Sequence, residues 1–109
     1  MIACELDESG HNVIVTFTVG DWVLDGEQLC VVGDFNDWQA GQINFEPRST
    51  GRWQATAVLQ GGRSYRFRYL RSDGTWLNDE AAHGYADNEH GGQDSILNLT
   101  ETGPGDPPG

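Results

Sequence analysis

Lysine is absent from this 109-residue chain, and the six basic residues, all arginines, lie between Arg48 and Arg71. Against them stand 17 acidic residues, for a net charge of −11. A field of that sign repels phosphate backbones and anionic bilayers, which argues against nucleic acid and membrane surfaces as partners. Cysteine is scarce. Cys4 and Cys30 have no metal-ligand spacing, so the first reading is two free thiols in a reducing compartment, with a Cys4 to Cys30 disulfide as the alternative. No apolar run approaches the roughly 20 residues of a spanning helix. The N-terminus, MIACELDESGHNVIVTFTVGDW, lacks a basic start followed by an apolar block. The expectation is a soluble, cytoplasmic protein.

Catalytic signatures are missing as well. There is no G-x-S-x-G, no phosphate loop and no Cys/His pair. Acidic neighbours such as Asp79 and Glu80 are common in so acidic a chain, whereas glycoside hydrolysis needs two carboxylates held across a cleft. His83, His90, Asp87 and Asp94 match no regular metal-ligand spacing. The sequence is therefore read as a non-enzyme without catalytic residues, metal or cofactor. No stretch shows a sustained helical period either, which points to β structure.

What is present is alternation. Val13, Val15, Phe17 and Val19 alternate with Ile14, Thr16 and Thr18, a β-branched strand with one apolar face. Glu27 to Val32 is a second strand, and Gly20 to Gly26 before it reads as a loop carrying Trp22. Gly33-Asp34-Phe35-Asn36-Asp37-Trp38 breaks the second strand with residues that accept turn geometry, and Phe35 is expected to drop into the core. Asn44 to Glu46 is read as a short strand and Pro47 to Gly51 as a turn. Trp53, Ala55, Ala57 and Leu59 then mark a third strong strand with Trp53 on its core face.

The stretch from Arg63 to Asp79, RSYRFRYLRSDGTWLND, is the most informative. Tyr65, Phe67 and Tyr69 on one face of a strand leave Arg66 and Arg68 on the other. Ser72-Asp73-Gly74-Thr75 reads as a tight turn, with Trp76 at the start of the returning strand. Glu80 to Gln93 reads as a long surface loop and Ser95 to Thr100 as the closing strand. About seven short strands at regular spacing predict an antiparallel β-sandwich. Residues 1–11 are read as a polar leader, 12–100 as one domain and 101–109 as a disordered Gly/Pro tail.

Three stretches in order, VVGDFNDW at 31–38, YRFRYLRSDGTWLND at 65–79 and DNEHGGQDSILNL ending at Leu99, resemble the family 48 carbohydrate-binding modules. That family includes the glycogen-binding domain of the AMP-activated protein kinase β subunit and the N-terminal domains of isoamylase-like and branching enzymes. The resemblance implies an immunoglobulin-like sandwich of the early-set type that binds α-1,4-linked glucans such as glycogen, starch or cyclodextrin without catalysis. It implies that Trp38 and Trp76 stack on glucose rings, that Arg68 reaches sugar hydroxyls, and that Asp94 holds the position of a sugar-binding Asn. His90 stands where the family often has a Leu or Phe wedged against the glucan. Relative to kinase-type members, Ser72 is an extra hairpin residue.

The chemistry fits the residues. An indole covers the C–H face of a pyranose, and charged planar groups suit its rim of hydroxyls. The competing reading of Trp38 and Trp76 is core packing, and Arg66 and Arg71 equally suit neutralisation of neighbouring carboxylates. At the level of function, an α-glucan-binding module stands beside an interaction module that packs on a separate glucan-metabolising enzyme or other protein.

Overall fold

The computed structural model describes residues 1–89 and 91–100. Its strands are β1 (Ile2–Leu6), β2 (Asn12–Gly20), β3 (Leu29–Gly33), β4 (Ile43–Asn44), β5 (Glu46–Ser49), β6 (Arg52–Gln60), β7 (Ser64–Arg71), β8 (Trp76–Leu77), β9 (Gly84–Asp87) and β10 (Gln93–Asn98). A short helix α1 (Asp21–Leu24) follows β2, and a 3-10 turn, Asp34–Asn36, follows β3. One sheet runs β1-β2-β6-β5. The other runs β4-β3-β7-β10-β9, with β8 also on β7, and every pairing is antiparallel. This is an all-β antiparallel sandwich, as the alternation predicted, and it is consistent with the immunoglobulin-like fold that the resemblance implied.

Period two explains the core. Val13, Val15 and Phe17 of β2 and Ala55, Ala57 and Leu59 of β6 are buried and face Tyr65, Phe67 and Tyr69 of β7 across the sandwich. Phe17 sits 5.2 Å from Phe67, ring centroid to centroid, and Phe45 meets Tyr69 edge-on at 5.2 Å. Tilted and edge-on rings of this kind add about 0.5–1.5 kcal/mol beyond the area they bury. Burial pushes the Tyr69 hydroxyl well above the usual phenol range, and the Asp79 carboxylate that accepts its hydrogen bond reinforces the shift. Phe35 and Leu77 pack partly buried against this core.

Several expectations are corrected. The stretch read as a polar leader contains β1, which pairs with β2 from Ile2↔Phe17 to Leu6↔Val13. The Pro47 turn is largely strand: Pro47 pairs with Trp53 on the sheet edge, and a register shift follows between Pro47 and Ser49. Trp53 is half-buried and covers the margin of the core rather than filling it. The Gly20 to Gly26 loop holds α1, and the loop from Glu80 holds β9. Ten strands therefore replace seven among the described residues. The 101–109 tail lies outside them. Cys4 and Cys30 are both free thiols, one exposed and one buried.

Candidate functional site

The outer face of β7 forms the floor of an open groove of about 700 Å³, lined by Asp34, Trp38, Arg66, Arg68, Trp76, Asn88, Glu89 and Asp94. Three loci converge there. The turn after β3 brings Asp34 and Trp38, the β7–β8 hairpin brings Arg68 and Trp76, and the β9–β10 hairpin brings Asn88, Glu89 and Asp94.

Trp38 is placed by backbone geometry that few sequences accept. Gly33 donates its N–H to the Asn36 side-chain oxygen at 3.0 Å, and the Asn36 amide donates to the Val31 carbonyl at 3.1 Å, which closes the turn on its own strand. Gly33 must be glycine, because an added Cβ would lie 2.5 Å from the Arg66 carbonyl oxygen and 2.9 Å from Phe67 Cβ. Asp37 and Trp38 then both adopt left-handed backbone, φ 54° and 58°, where an L-residue costs about 1–2 kcal/mol. The Trp38 N–H to Gly33 carbonyl bond, 2.9 Å, holds the loop in that state. Strain of this sort persists where the surroundings over-determine it, and it clusters at binding sites. The ring that results is 37% exposed.

Trp76 is 44% exposed on β8, paired with Leu70. Its ring lies under the Arg68 guanidinium, 5.7 Å from Cζ to the ring centroid. Arg68 Nε is buried without a hydrogen-bond partner, and among the described residues no carboxylate stands within ion-pair distance of Arg68. The Ser72 hydroxyl in the hairpin turn donates to Glu27 at 2.8 Å and accepts the Gln28 N–H at 3.1 Å.

The other arginines are occupied. Arg66 lies 3.7 Å from Asp94 and donates to the Asp87 carbonyl at 3.3 Å. Arg71 lies 3.4 Å from Asp73 and donates to the Val23 carbonyl, away from the groove. Charge neutralisation is thus the geometry both residues adopt. Asp94 does reach the groove but is only 6% exposed, with one oxygen facing Arg66 and the other accepting from the Asn88 amide at 3.2 Å. His90 lies outside the described residues.

The structure therefore brings Trp38, Arg68, Trp76 and Asp94 to one groove. It adds Asp34, Arg66, Asn88 and Glu89, which the sequence reading did not select as a set. Arg66 was legible as the period-two neighbour of Arg68. The others arrive through turns, where no period marks a face. Among the described residues, no cluster of His, Cys, Asp and Glu is suited to a metal ion. No helix is long and apolar enough to cross a membrane.

No protein-family model matches the chain. Over 59 residues, 53% of the chain, it is 34% identical to the 1,4-alpha-glucan branching enzyme GlgB of Salinibacter ruber. The chain is similar to a segment of a branching enzyme. Over 80 residues, 65% of the chain, it is 32% identical to the enzyme of the same name from Mesorhizobium japonicum. The matched stretches amount to 9% and 11% of those proteins, so the chain spans about a tenth of the length of the curated relatives it matches.

Proposed function

We propose that this domain is a non-catalytic α-glucan-binding module of the family 48 type and that the groove over β7 is its sugar site. The observation that carries this reading is that two half-exposed indoles, Trp38 and Trp76, line one groove with an arginine that lies over the Trp76 ring and has no carboxylate partner among the described residues. Each ring offers a flat apolar surface to a pyranose, and Arg68 offers donors to its hydroxyls. Relatedness to enzymes named for 1,4-α-glucan supports the same ligand class. In this assignment Trp38 and Trp76 stack, Arg68 donates, and Asp94 acts through Arg66 and Asn88, which it holds at the groove floor.

Calorimetric titration with β-cyclodextrin and soluble glycogen tests the assignment. Micromolar to millimolar affinity is expected, since a shallow site with few polar anchors must still offset the entropy of association. Absence of heat at millimolar ligand overturns it. Because the ligand is neutral, the dissociation constant should change by less than about twofold between low and high salt.

A second reading has its own support. Trp22 on α1 is 70% exposed and lies outside the groove, beside Arg52, Thr18 and Gly20. Trp is enriched at protein–protein contacts, so Trp22 is the ring through which the module would pack on a separate glucan-metabolising enzyme. Steep salt dependence of complex formation with such an enzyme, together with no cyclodextrin binding, favours that reading.

A further inference from the structure

Asp34 sits where β3 ceases to be a strand. The last rung between β3 and β7 pairs Gly33 with Phe67, so the next rung would set Asp34 opposite Arg66. The backbone instead turns away into the 3-10 segment. The Asp34 side chain takes over that rung, with Oδ2 accepting the Arg66 backbone N–H at 2.8 Å. The other carboxylate oxygen, Oδ1, accepts the indole N–H of Trp38 at 3.1 Å. One side chain thus ties the Trp38 ring to the main chain of the strand that carries Arg68.

We propose that Asp34 is the positioning residue for Trp38, fixing the orientation of the indole before any ligand arrives. This rests on the glucan-binding reading of the groove. A Trp on a left-handed loop residue, 37% exposed and outside the core cluster, is not locked into one staggered rotamer by core packing. A hydrogen bond from its one polar atom to an acceptor anchored on β7 selects one of them. The acceptor must be a carboxylate, because both oxygens are used at once. An amide in the same orientation keeps an acceptor at only one of the two oxygen positions and turns its NH2, a donor, toward the other N–H. A stacking platform that is already oriented does not pay the ordering cost on binding, and a ligand that meets only a fraction of competent rings loses affinity by that fraction.

The test uses Asp34→Ala and the isosteric Asp34→Asn, so that a folded variant is in hand if the first melts. In the wild type, the indole N–H resonance of Trp38, identified by its loss in Trp38→Phe, should exchange slowly with solvent. In Asp34→Ala it should exchange at the rate of a free indole and broaden or shift. In Asp34→Asn it should be intermediate. β-Cyclodextrin should bind Asp34→Ala about two- to tenfold more weakly, with the fold otherwise retained. An unchanged indole resonance in both variants overturns the positioning role, as does an Asp34→Ala affinity equal to that of a wild type that binds. If the wild type binds no glucan, the proposed function fails, while the indole resonance still decides whether Asp34 orients the ring.

Discussion

The Arg68 guanidinium lies over the indole of Trp76, 5.7 Å from the ring centroid, with a buried Nε that has no hydrogen-bond partner. The two side chains brace each other, and the arginine keeps donor capacity for a ligand. Arg68→Ala should weaken β-cyclodextrin binding by about tenfold, the value of one charge-assisted hydrogen bond. Stability should change by no more than about 0.5 kcal/mol, as for other partly exposed substitutions. Arg68→Lys should not restore affinity, because an ammonium lacks the planar fork that both stacks and donates. Titration of the three proteins side by side checks this.

Truncation separates groove rings from core rings. Trp38→Ala and Trp76→Ala should each abolish measurable glucan binding while unfolding near the wild-type midpoint. Phe67→Ala, at a fully buried position, should cost about 3–5 kcal/mol. Denaturant melts and cyclodextrin-induced Trp fluorescence report both properties. A Trp38 or Trp76 variant that melts as early as Phe67→Ala would show that the ring belongs to the core.

Gly33 should tolerate no side chain. Its Cβ would press on the Arg66 carbonyl, which the sheet holds in place, so Gly33→Ala should cost about 1–3 kcal/mol as overpacking does. The same displacement moves Asp34 and Trp38, so affinity should fall together with stability.

The hairpin that presents Trp76 should respond to acid through Asp73. Hydrogen bonds from Thr75, and to a smaller extent the Arg71 guanidinium, hold its carboxyl below the ordinary aspartate value of 3.8. A group whose folded value is lowered stabilises the fold fully above the unfolded value. That contribution is lost as pH falls through the lowered one. Asp73→Asn should therefore be less stable than wild type at neutral pH and equal to it in strong acid. Carboxyl NMR titration of Asp73 and melts of both proteins across acid pH check the sign.

The sequence made β2, β6 and β7 legible because each buries one face, and burial of one face writes a period of two. β1 and β5 escaped notice for the converse reason. Both are sheet edges whose residues remain mostly exposed, so no pattern separates IACEL or EPRS from a polar loop. At the groove, Arg68 and Trp76 are legible in the hairpin pattern as well as through the resemblance, Trp38 and Asp94 through the resemblance alone, and the fold brings the four together. Asp34 was read as a turn former, which it is. Its second task depends on a hydrogen bond to β7 across 32 residues of chain, and local spacing carries no trace of that. Asn88 and Glu89 likewise enter only through the β9–β10 hairpin.

Buried Asp79 accepts a hydrogen bond from the Tyr69 hydroxyl of β7 through its carboxylate and donates its backbone N–H to the Ser95 hydroxyl of β10. Its neighbour Asn78 bonds the same Ser95 hydroxyl and the Gln93 carbonyl. The chain leaving Trp76 is therefore fastened to the strand that carries Asp94, and both are fastened to the strand that carries Arg68. The span between the hairpin rim and the opposite rim is set from inside the sandwich. Tyr69, 1% exposed, thus helps fix from inside the sandwich the spacing of groove residues that it does not itself line.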